Sequence, residues 1–399
     1  MTWQTKKLGE VCNFSNGLWK GKKPPYIQVH VIRNTNFTKD GKLNDSDIAN
    51  LNVEKKQFEK RKLSFGDIIL EKSGGGEKQP VGRVIVFDKK DGNYSFSNFT
   101  SSVGVKDKNQ LHFNFLHKYL YFIYISGVTE SMQSHSTGIR NLDLNKYKEI
   151  KIPLPPLPEQ TRIVKILDEV FEKTTKAREN AEKNLKNSRE LFESYLQNVF
   201  ANPGKNWEEK QIGQICEVEY GYTEKARNYG DYRFVRITDT DESGLLTQEN
   251  KMYINSFDEA GKYTLETGDL LMARTGASAG NVLFFEGDEK AVFASYLIRI
   301  KFVKKILNKL YWYFAKSEFY WRQVRRLSAG SAQPQFNGGA LKQITFTYPK
   351  SLPEQKAIVK KLDSLSEQTR KLGENYQKKL DDLEELKKSV LNKAFTQAL

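Results

Sequence analysis

The sequence predicts an α+β protein: two tandem mixed α/β domains joined by two long helices that form an antiparallel coiled-coil spacer, the whole repeating as a pseudo-two-fold. Three observations predict it. The opening Trp3-Gln-Thr-Lys-Lys-Leu8-Gly9-Glu-Val11-Cys12, then Gly17, recurs as Trp207-Glu-Glu-Lys-Gln-Ile212-Gly213-Gln-Ile215-Cys216, then Gly221. Leu157-Pro158-Glu159-Gln160 recurs as Leu352-Pro353-Glu354-Gln355, each followed by an apolar helix opening. After each of these, apolar and small residues are spaced by threes and fours, as in a coiled-coil seam. Such a repeat presents two related but different surfaces, which suits a bipartite target better than a single cleft.

The expected divisions are a first domain over 1–150, a first long helix over 151–203, a second domain over 204–347 and a second long helix over 348–399. In the first domain, Tyr26–Ile32, Asp67–Leu70, Val81–Phe87 and Ile150–Ile152 read as strands between Gly, Asn, Asp and Ser, and Leu111–Ile125 reads as a helix. The second domain repeats that order with Phe234–Thr238, Asp269–Met272, Asn281–Phe285 and Tyr296–Phe302, then a helix over Lys305–Leu327. Strands and helices without a βαβ rhythm indicate α+β. The first seam runs through Ile163, Ile166, Val170, Thr174, Ala177, Ala181, Leu185, Ser188, Leu191, Tyr195 and Val199. The second runs through Ile358, Leu362, Leu365, Thr369, Leu372, Tyr376, Leu380, Leu383, Leu386, Val390 and Ala394. The small knobs Thr174, Ala177 and Ala181 let two helices approach closely, so the arms are paired with each other as an antiparallel rod of about 60 Å. The alternative is that each arm lies on its own domain or on another chain. Pro158 and Pro353 stand in the first helical turn, where proline is tolerated, with Glu and Gln beside the N-terminal dipole. Asn202-Pro-Gly-Lys-Asn206 is a breaker between the repeats.

The 399 residues carry 64 Lys+Arg against 49 Asp+Glu, a net charge of +15, which favours nucleic acid or an anionic surface as partner. With 19 Tyr and 24 Phe the basic residues are interleaved with core formers, which excludes a disordered basic tail. Two cysteines following Val11 and Ile215 make no disulfide framework and read as small buried apolar side chains. The N-terminus lacks the apolar core of a signal peptide and no apolar run is long enough to span a membrane, so a cytoplasmic location is expected.

Catalytic constellations are absent from the sequence pattern. His30, His112, His117 and His135 are scattered, without zinc spacing. Gly74-Gly75-Gly76-Glu77-Lys78 lacks the second Gly-Lys-Ser/Thr of a phosphate loop. Lys23-Pro24-Pro25-Tyr26 has lysine where an amino-methyltransferase carries Asn or Asp. The chain therefore reads as a binding protein, not an enzyme, with no cofactor or metal of its own.

The polar loops carry the binding chemistry. Ser73-Gly-Gly-Gly-Glu-Lys-Gln-Pro80 follows a strand in the first repeat, and Arg274-Thr275-Gly-Ala-Ser-Ala-Gly-Asn281 follows the equivalent strand in the second. Small residues let backbone approach a surface, while Ser, Thr, Lys and Arg donate to phosphates or base edges. The candidates here are Lys72, Ser73, Lys78 and Arg83, then Arg274, Thr275 and Ser278, with Lys20 and Lys22 in the basic loop after the repeat opening. Arg33 and Arg236 recur at a strand end, to contact phosphate or guanine or else to form an internal ion pair. Arg140, Asn141 and Gln333 lie in a third matched pair of loops; Asn141 and Gln333 either read adenine or close turns.

The repeat openings, the strand and loop Gly268–Gly276, and the helix entries Leu154–Gln160 and Tyr348–Gln355, in this order and twice over, resemble the specificity subunit of type I restriction-modification enzymes along essentially the whole chain. The first repeat departs from the pattern, with Glu71-Lys-Ser-Gly-Gly-Gly76 in place of Ala-Arg-Thr-Gly-Ala-Ser. The resemblance implies that each domain is a target-recognition domain reading one half of an asymmetric two-part sequence in double-stranded DNA, and that the helix pair sets the unread gap. It implies two modification subunits that bring S-adenosylmethionine and methylate adenine N6, and restriction subunits that cut unmodified DNA. The chain would then supply the address without catalysis. The other reading is a bivalent DNA-binding or coiled-coil scaffold protein without methyltransferase partners.

If the helices are a ruler, inserting seven residues in register into both lengthens the rod by about 10 Å. The gap in the modified motif should then widen by about three base pairs, at roughly 3.4 Å each. Sequencing the methylated motif checks this, and an unchanged gap refutes the ruler.

Overall fold

The computed structural model describes residues 3–19, 21–77, 79–136, 138–241, 244–328 and 335–396, without the side chains of His135 and Ser136. The chain forms two compact units, Met1–Ala181 with Lys378–Leu399, and Glu182–Gln377. Compactness thus divides the chain at other points than the repeat does, through both long helices, which run over Leu157–Ala201 and Leu352–Phe395.

In the first unit a four-stranded antiparallel sheet has the order Cys12–Asn16, Thr100–Val105, Ile68–Glu71, Val84–Val86. Strand Ile68–Glu71 is wholly buried because both its faces are covered. Ile68 and Leu70 point into one core with Val84, Val103, Phe115, Leu116 and Leu120. Ile69, one residue out of phase, points into another with Ile32, Phe37, Ile85 and Phe96. A three-stranded sheet, Ala49–Glu54, Tyr26–Ile32 and Tyr94–Phe96, carries that second core. A small third sheet joins Gln133–Ser136, Ile139–Leu142 and Ser73–Gly75, and Gln4–Lys7 pairs with Lys151–Leu154. Helix Phe113–Ile125 covers the main sheet.

The second unit is built on the same plan. Its four-stranded sheet has the order Cys216–Tyr220, Leu297–Phe302, Leu270–Ala273, Val282–Phe284. Leu270 and Met272 face one core, Leu271 and Ala273 the other. Tyr253–Ile254, Tyr232–Val235 and Ala291–Phe293 form the second sheet, and Trp207–Gln211 pairs with Thr345–Pro349. Both cysteines are buried and free, and burial pushes each thiol up to about 12.

Three details depart from the sequence reading. The helix expected over Lys305–Leu327 is two helices, Asn308–Phe314 and Glu318–Leu327, because Ser317 turns the chain and caps the second through its Oγ, which accepts from the Tyr320 amide. The strand expected to run to Thr238 ends at Val235, since the Asp239 carboxylate accepts from the Arg236 amide and curls the chain into a short 3-10 turn. The strands Gln4–Lys7, Cys12–Asn16, Trp207–Gln211 and Cys216–Tyr220 are not among those expected: the first and third lack apolar alternation, and the second and fourth are short runs directly after the repeat openings.

In each unit the two long helices run antiparallel. In the first, Ile163 and Leu167 share a core with Leu391 and Ala394, Lys387 stands 5.1 Å over the Phe171 ring, and Arg178 pairs with Glu384 at 2.8 Å. In the second, Leu196 and Phe200 share a core with Val359 and Leu362, while Leu185 lies beside Gly373. Within the expected seams Leu191, Leu372 and Leu386 are exposed. Among the described residues no helix is long and apolar enough to cross a membrane.

The Leu-Pro-Glu-Gln repeats do more than start helices. Gln160 and Gln355 are wholly buried. The Gln160 Oε1 accepts from the His112 amide and its Nε2 donates to the carbonyls of Gln110 and Pro155, each at 2.8 Å. Gln355 repeats this with the Leu307 amide at 2.8 Å and the carbonyls of Lys305 and Pro349. Each glutamine clasps its long helix to the start of the helix that covers the sheet. It satisfies buried backbone groups that water does not reach.

His117, on Phe113–Ile125, is buried, and that burial, aided by the Lys118 charge, pushes its pKa down to about 4. The folded unit therefore holds the proton less well than the unfolded chain, whose imidazole titrates near 6.5. The stability is fully present above pH 6.5 and is lost as the pH falls towards 4, by about 3 kcal/mol. Denaturant unfolding between pH 7 and 4 should show His117→Leu less acid-sensitive by that margin. Equal pH slopes would rule it out.

Candidate nucleic-acid interface

At the end of the central strand each unit places a cation on the same seat. In the first unit it is Lys72, whose amide donates to the Phe99 carbonyl at 3.0 Å; in the second it is Arg274, whose amide donates to the Tyr296 carbonyl at 3.0 Å. Gly74 (φ 95°) and Gly276 (φ 77°) follow two residues later, in the left-handed region that a side chain would strain. The seats differ in their walls. Lys72 donates through Nζ to the Asn16 Oδ1 at 2.8 Å, and partial burial lowers its pKa. Arg274 instead stands against two aromatic rings, its Cζ 5.5 Å from the centroids of both Tyr220 and Tyr296. Two such contacts stabilise a cation by about 0.5–2 kcal/mol each. Asn16 and Tyr220 end matching strands, so the same point of the frame supplies an amide in one unit and a ring in the other. Among the described residues neither Lys72 nor Arg274 forms an ion pair.

Around Lys72 the small third sheet gathers three more candidates. Asn141 lies opposite Ser73 and Arg140 opposite Gly75, with a bulge between them. The Ser73 Oγ donates to the Asn141 Oδ1 at 2.5 Å. Arg140 and Asn141 are half-buried, and Ile139 is exposed. Around Arg274, Thr275 bridges to Gln335, and the Ser278 carbonyl accepts from the Asn281 amide to close the loop. Exposed Tyr220, Tyr229 and Tyr296 belong to the same unit, as exposed Trp19 and Phe99 belong to the first. Lys20, Lys78 and Gln333 lie outside the described residues.

Three candidate arginines are committed within the protein. Arg83 forms a two-pronged ion pair with the fully buried Glu71, at 2.7 and 2.8 Å, and donates to the carbonyls of Asn34 and Phe37. Arg33 pairs with Asp47 at 3.1 Å, and Arg236 with Asp239 at 2.7 Å. The Arg83 contacts brace the strand end that carries Lys72, while those of Arg33 and Arg236 close loops of their own. Lys22 is exposed; its amide, not its amine, is fixed, donating to Glu54. The sequence reading passed over Asn16, Tyr220 and Tyr296. Extending the repeat four residues past the matched cysteines would have found the first two.

Among the described residues no group of three or more His, Cys, Asp or Glu is placed to hold a metal ion. What both units offer is a cation beside small-residue turns and exposed rings, an arrangement that binds phosphates and base edges.

The family described as the type I restriction modification DNA specificity domain matches residues 1–187 and again 204–382. The chain belongs to this family. It is similar to the MjaVIII specificity subunit of Methanocaldococcus jannaschii, 25% identical over 99% of this chain and 92% of that relative. It is similar also to the StySPI specificity subunit of Salmonella potsdam, 26% identical over 98% of this chain and 88% of that relative. Two solved structures share the fold. One, from work on complex assembly and conformational transition of the type I R-M system, covers all of this chain and 98% of its own at TM-score 0.77 and 19% identity. The other, the HsdS subunit of Thermoanaerobacter tengcongensis, covers all of this chain and 97% of its own at TM-score 0.63 and 18% identity. The chain is thus a DNA-binding specificity subunit with two target-recognition domains, one per repeat.

In the second domain, Ala273 and Asn281 take the places of Glu71 and Arg83 on the paired strands, so the frame does not require the ion pair. Arg83→Ala should destabilise by about 3–5 kcal/mol by leaving Glu71 charged in the interior without a counter-ion, beside the Asn34 amide. The double change Glu71→Ala with Arg83→Asn should recover most of that in thermal unfolding. No stability loss in Arg83→Ala would contradict the bracing role.

Proposed function

We infer that this specificity subunit reads an asymmetric two-part DNA sequence, one half per recognition domain, with an unread gap between the halves. Two modification subunits joined to it would bring S-adenosylmethionine and methylate adenine N6 in each half, and restriction subunits would cut DNA lacking the mark. The chain contributes the address and no catalytic group, and the complex works in the cytoplasm. The observation that carries the two-part reading is the matched seat at the end of the central strand. One frame, repeated, holds Lys72 beside an amide in one domain and Arg274 against two tyrosine rings in the other. Equal frames with unequal surfaces fit unequal half-sites. Basic loops supply a salt-dependent grip on phosphates, and each good base contact adds about 1–3 kcal/mol of discrimination.

The test is to map N6-methyladenine in host DNA with this chain's gene present and deleted beside an active modification subunit. One gapped motif should lose its methylation on deletion. If no motif changes, the address function fails, and a bivalent DNA-binding scaffold without methyltransferase partners takes its place.

A further inference from the structure

We propose that Arg274 is a base-reading residue of the second domain, steadied by two tyrosine rings so that its terminal nitrogens meet the O6 and N7 edge of a guanine. This rests on the chain reading DNA as inferred above. The Arg274 Nε is buried with no hydrogen-bond partner. Among the described residues its terminal nitrogens have no acceptor either, and they are not among the buried unpaired atoms, so they are open to solvent. Three other buried or half-buried arginines of the second unit have acceptors for their terminal nitrogens. Arg299 is held by Glu219, Asp269 and the carbonyls of Lys262 and Thr264. Arg233 is held by Glu289 and the Thr247 carbonyl, and Arg236 by Asp239 and the Asn250 carbonyl. A partly desolvated guanidinium without an acceptor is unfavourable, and two ring faces compensate only in part. Its outward terminal nitrogens, served by water in the free protein, are donors available to the acceptors of a ligand.

The setting also narrows what that ligand can be. The rings of Tyr220 and Tyr296, each with its centroid 5.5 Å from the guanidinium carbon, steady the group at the strand end while its terminal nitrogens stay open to a ligand. Tyr220 is itself anchored, its hydroxyl accepting from the Gly338 amide at 3.1 Å. A planar edge held this way matches a pair of coplanar acceptors, which guanine presents in the major groove. Phosphate offers paired oxygens too, but it is the same at every step of DNA. It gives no physical reason for the equivalent seat in the first domain to hold Lys72 on an amide.

The test uses the chain assembled with its modification subunits and duplexes bearing its methylation motif, each guanine replaced in turn by 7-deazaguanine, which lacks the N7 acceptor. One guanine, in one half-site, should lose on the order of tenfold or more in affinity when replaced. Arg274→Ala should be indifferent to that same replacement and accept other base pairs there, Arg274→Lys should not restore the preference, and Tyr296→Ala, which loosens the arginine, should weaken it. Arg274→Ala lowering affinity equally for all sequences, with a shallower salt dependence, would make the contact a phosphate contact and overturn the proposal. Should that variant fail to assemble, a wild-type scan with no sensitive guanine still overturns it. Failure of the underlying reading looks different: the wild-type complex then prefers no sequence at all.

Discussion

The Phe395 ring, in the last turn of the second long helix, meets Phe115 at 5.5 Å, Tyr119 at 5.1 Å and Phe122 at 5.4 Å. With Leu391 and Ala394 it closes the core of the first unit, whose strands begin at the other end of the sequence. Leu196 and Phe200, at the end of the first long helix, do the same for the second unit beside Val359 and Leu362. Neither core is complete without a segment from each long helix. Burying such side chains is worth about 1.5–3 kcal/mol apiece, so the helix ends contribute substantially to holding each compact unit together. In the first unit these helix ends pack on the helix Phe113–Ile125, which covers the central strand that carries Lys72 at its end.

The repeat keeps what holds the backbone and varies what charges do. The buried glutamine clasps are the same in both units, down to the type of group each atom meets. The buried ion pairs are not. The first unit has Glu71 with Arg83 where the second has Ala273 and Asn281. The second has Arg299 with Glu219 on paired strands where the first has Ser102 opposite Ser15. A buried ion pair adds little net stability but fixes geometry, since breaking it strands a charge. Moving it between repeats is a way to stiffen a different loop on a constant frame, and so to present a different surface from the same fold.

Much of the frame was legible because apolar alternation and helical spacing are local. Tyr26–Ile32 was bounded correctly, and both long helices were found to within a few residues. The helix break at Ser317 was missed because the serine acts through one capping bond inside an apolar stretch. At the candidate site, Lys72 and Arg274 were visible as cations after a strand. Their partners Asn16, Tyr220 and Tyr296 were not, for they reach the seat across neighbouring strands rather than along the chain.

The sequence by itself determined the duplication, the order of strands and helices, the two matched glutamine motifs and the kinship with specificity subunits. All of these are written in spacing and in residue type. Only the tertiary structure decided which cations are free. Arg33, Arg83, Arg236 and Arg274 look alike in a sequence, each a basic residue near a strand end. Three meet carboxylates brought to them by sheet register and loop closure, and the fourth meets two rings. Whether an arginine serves the fold or the ligand depends on whether folding itself supplies its acceptors, and for Arg33 and Arg83 those acceptors lie more than ten residues away along the chain.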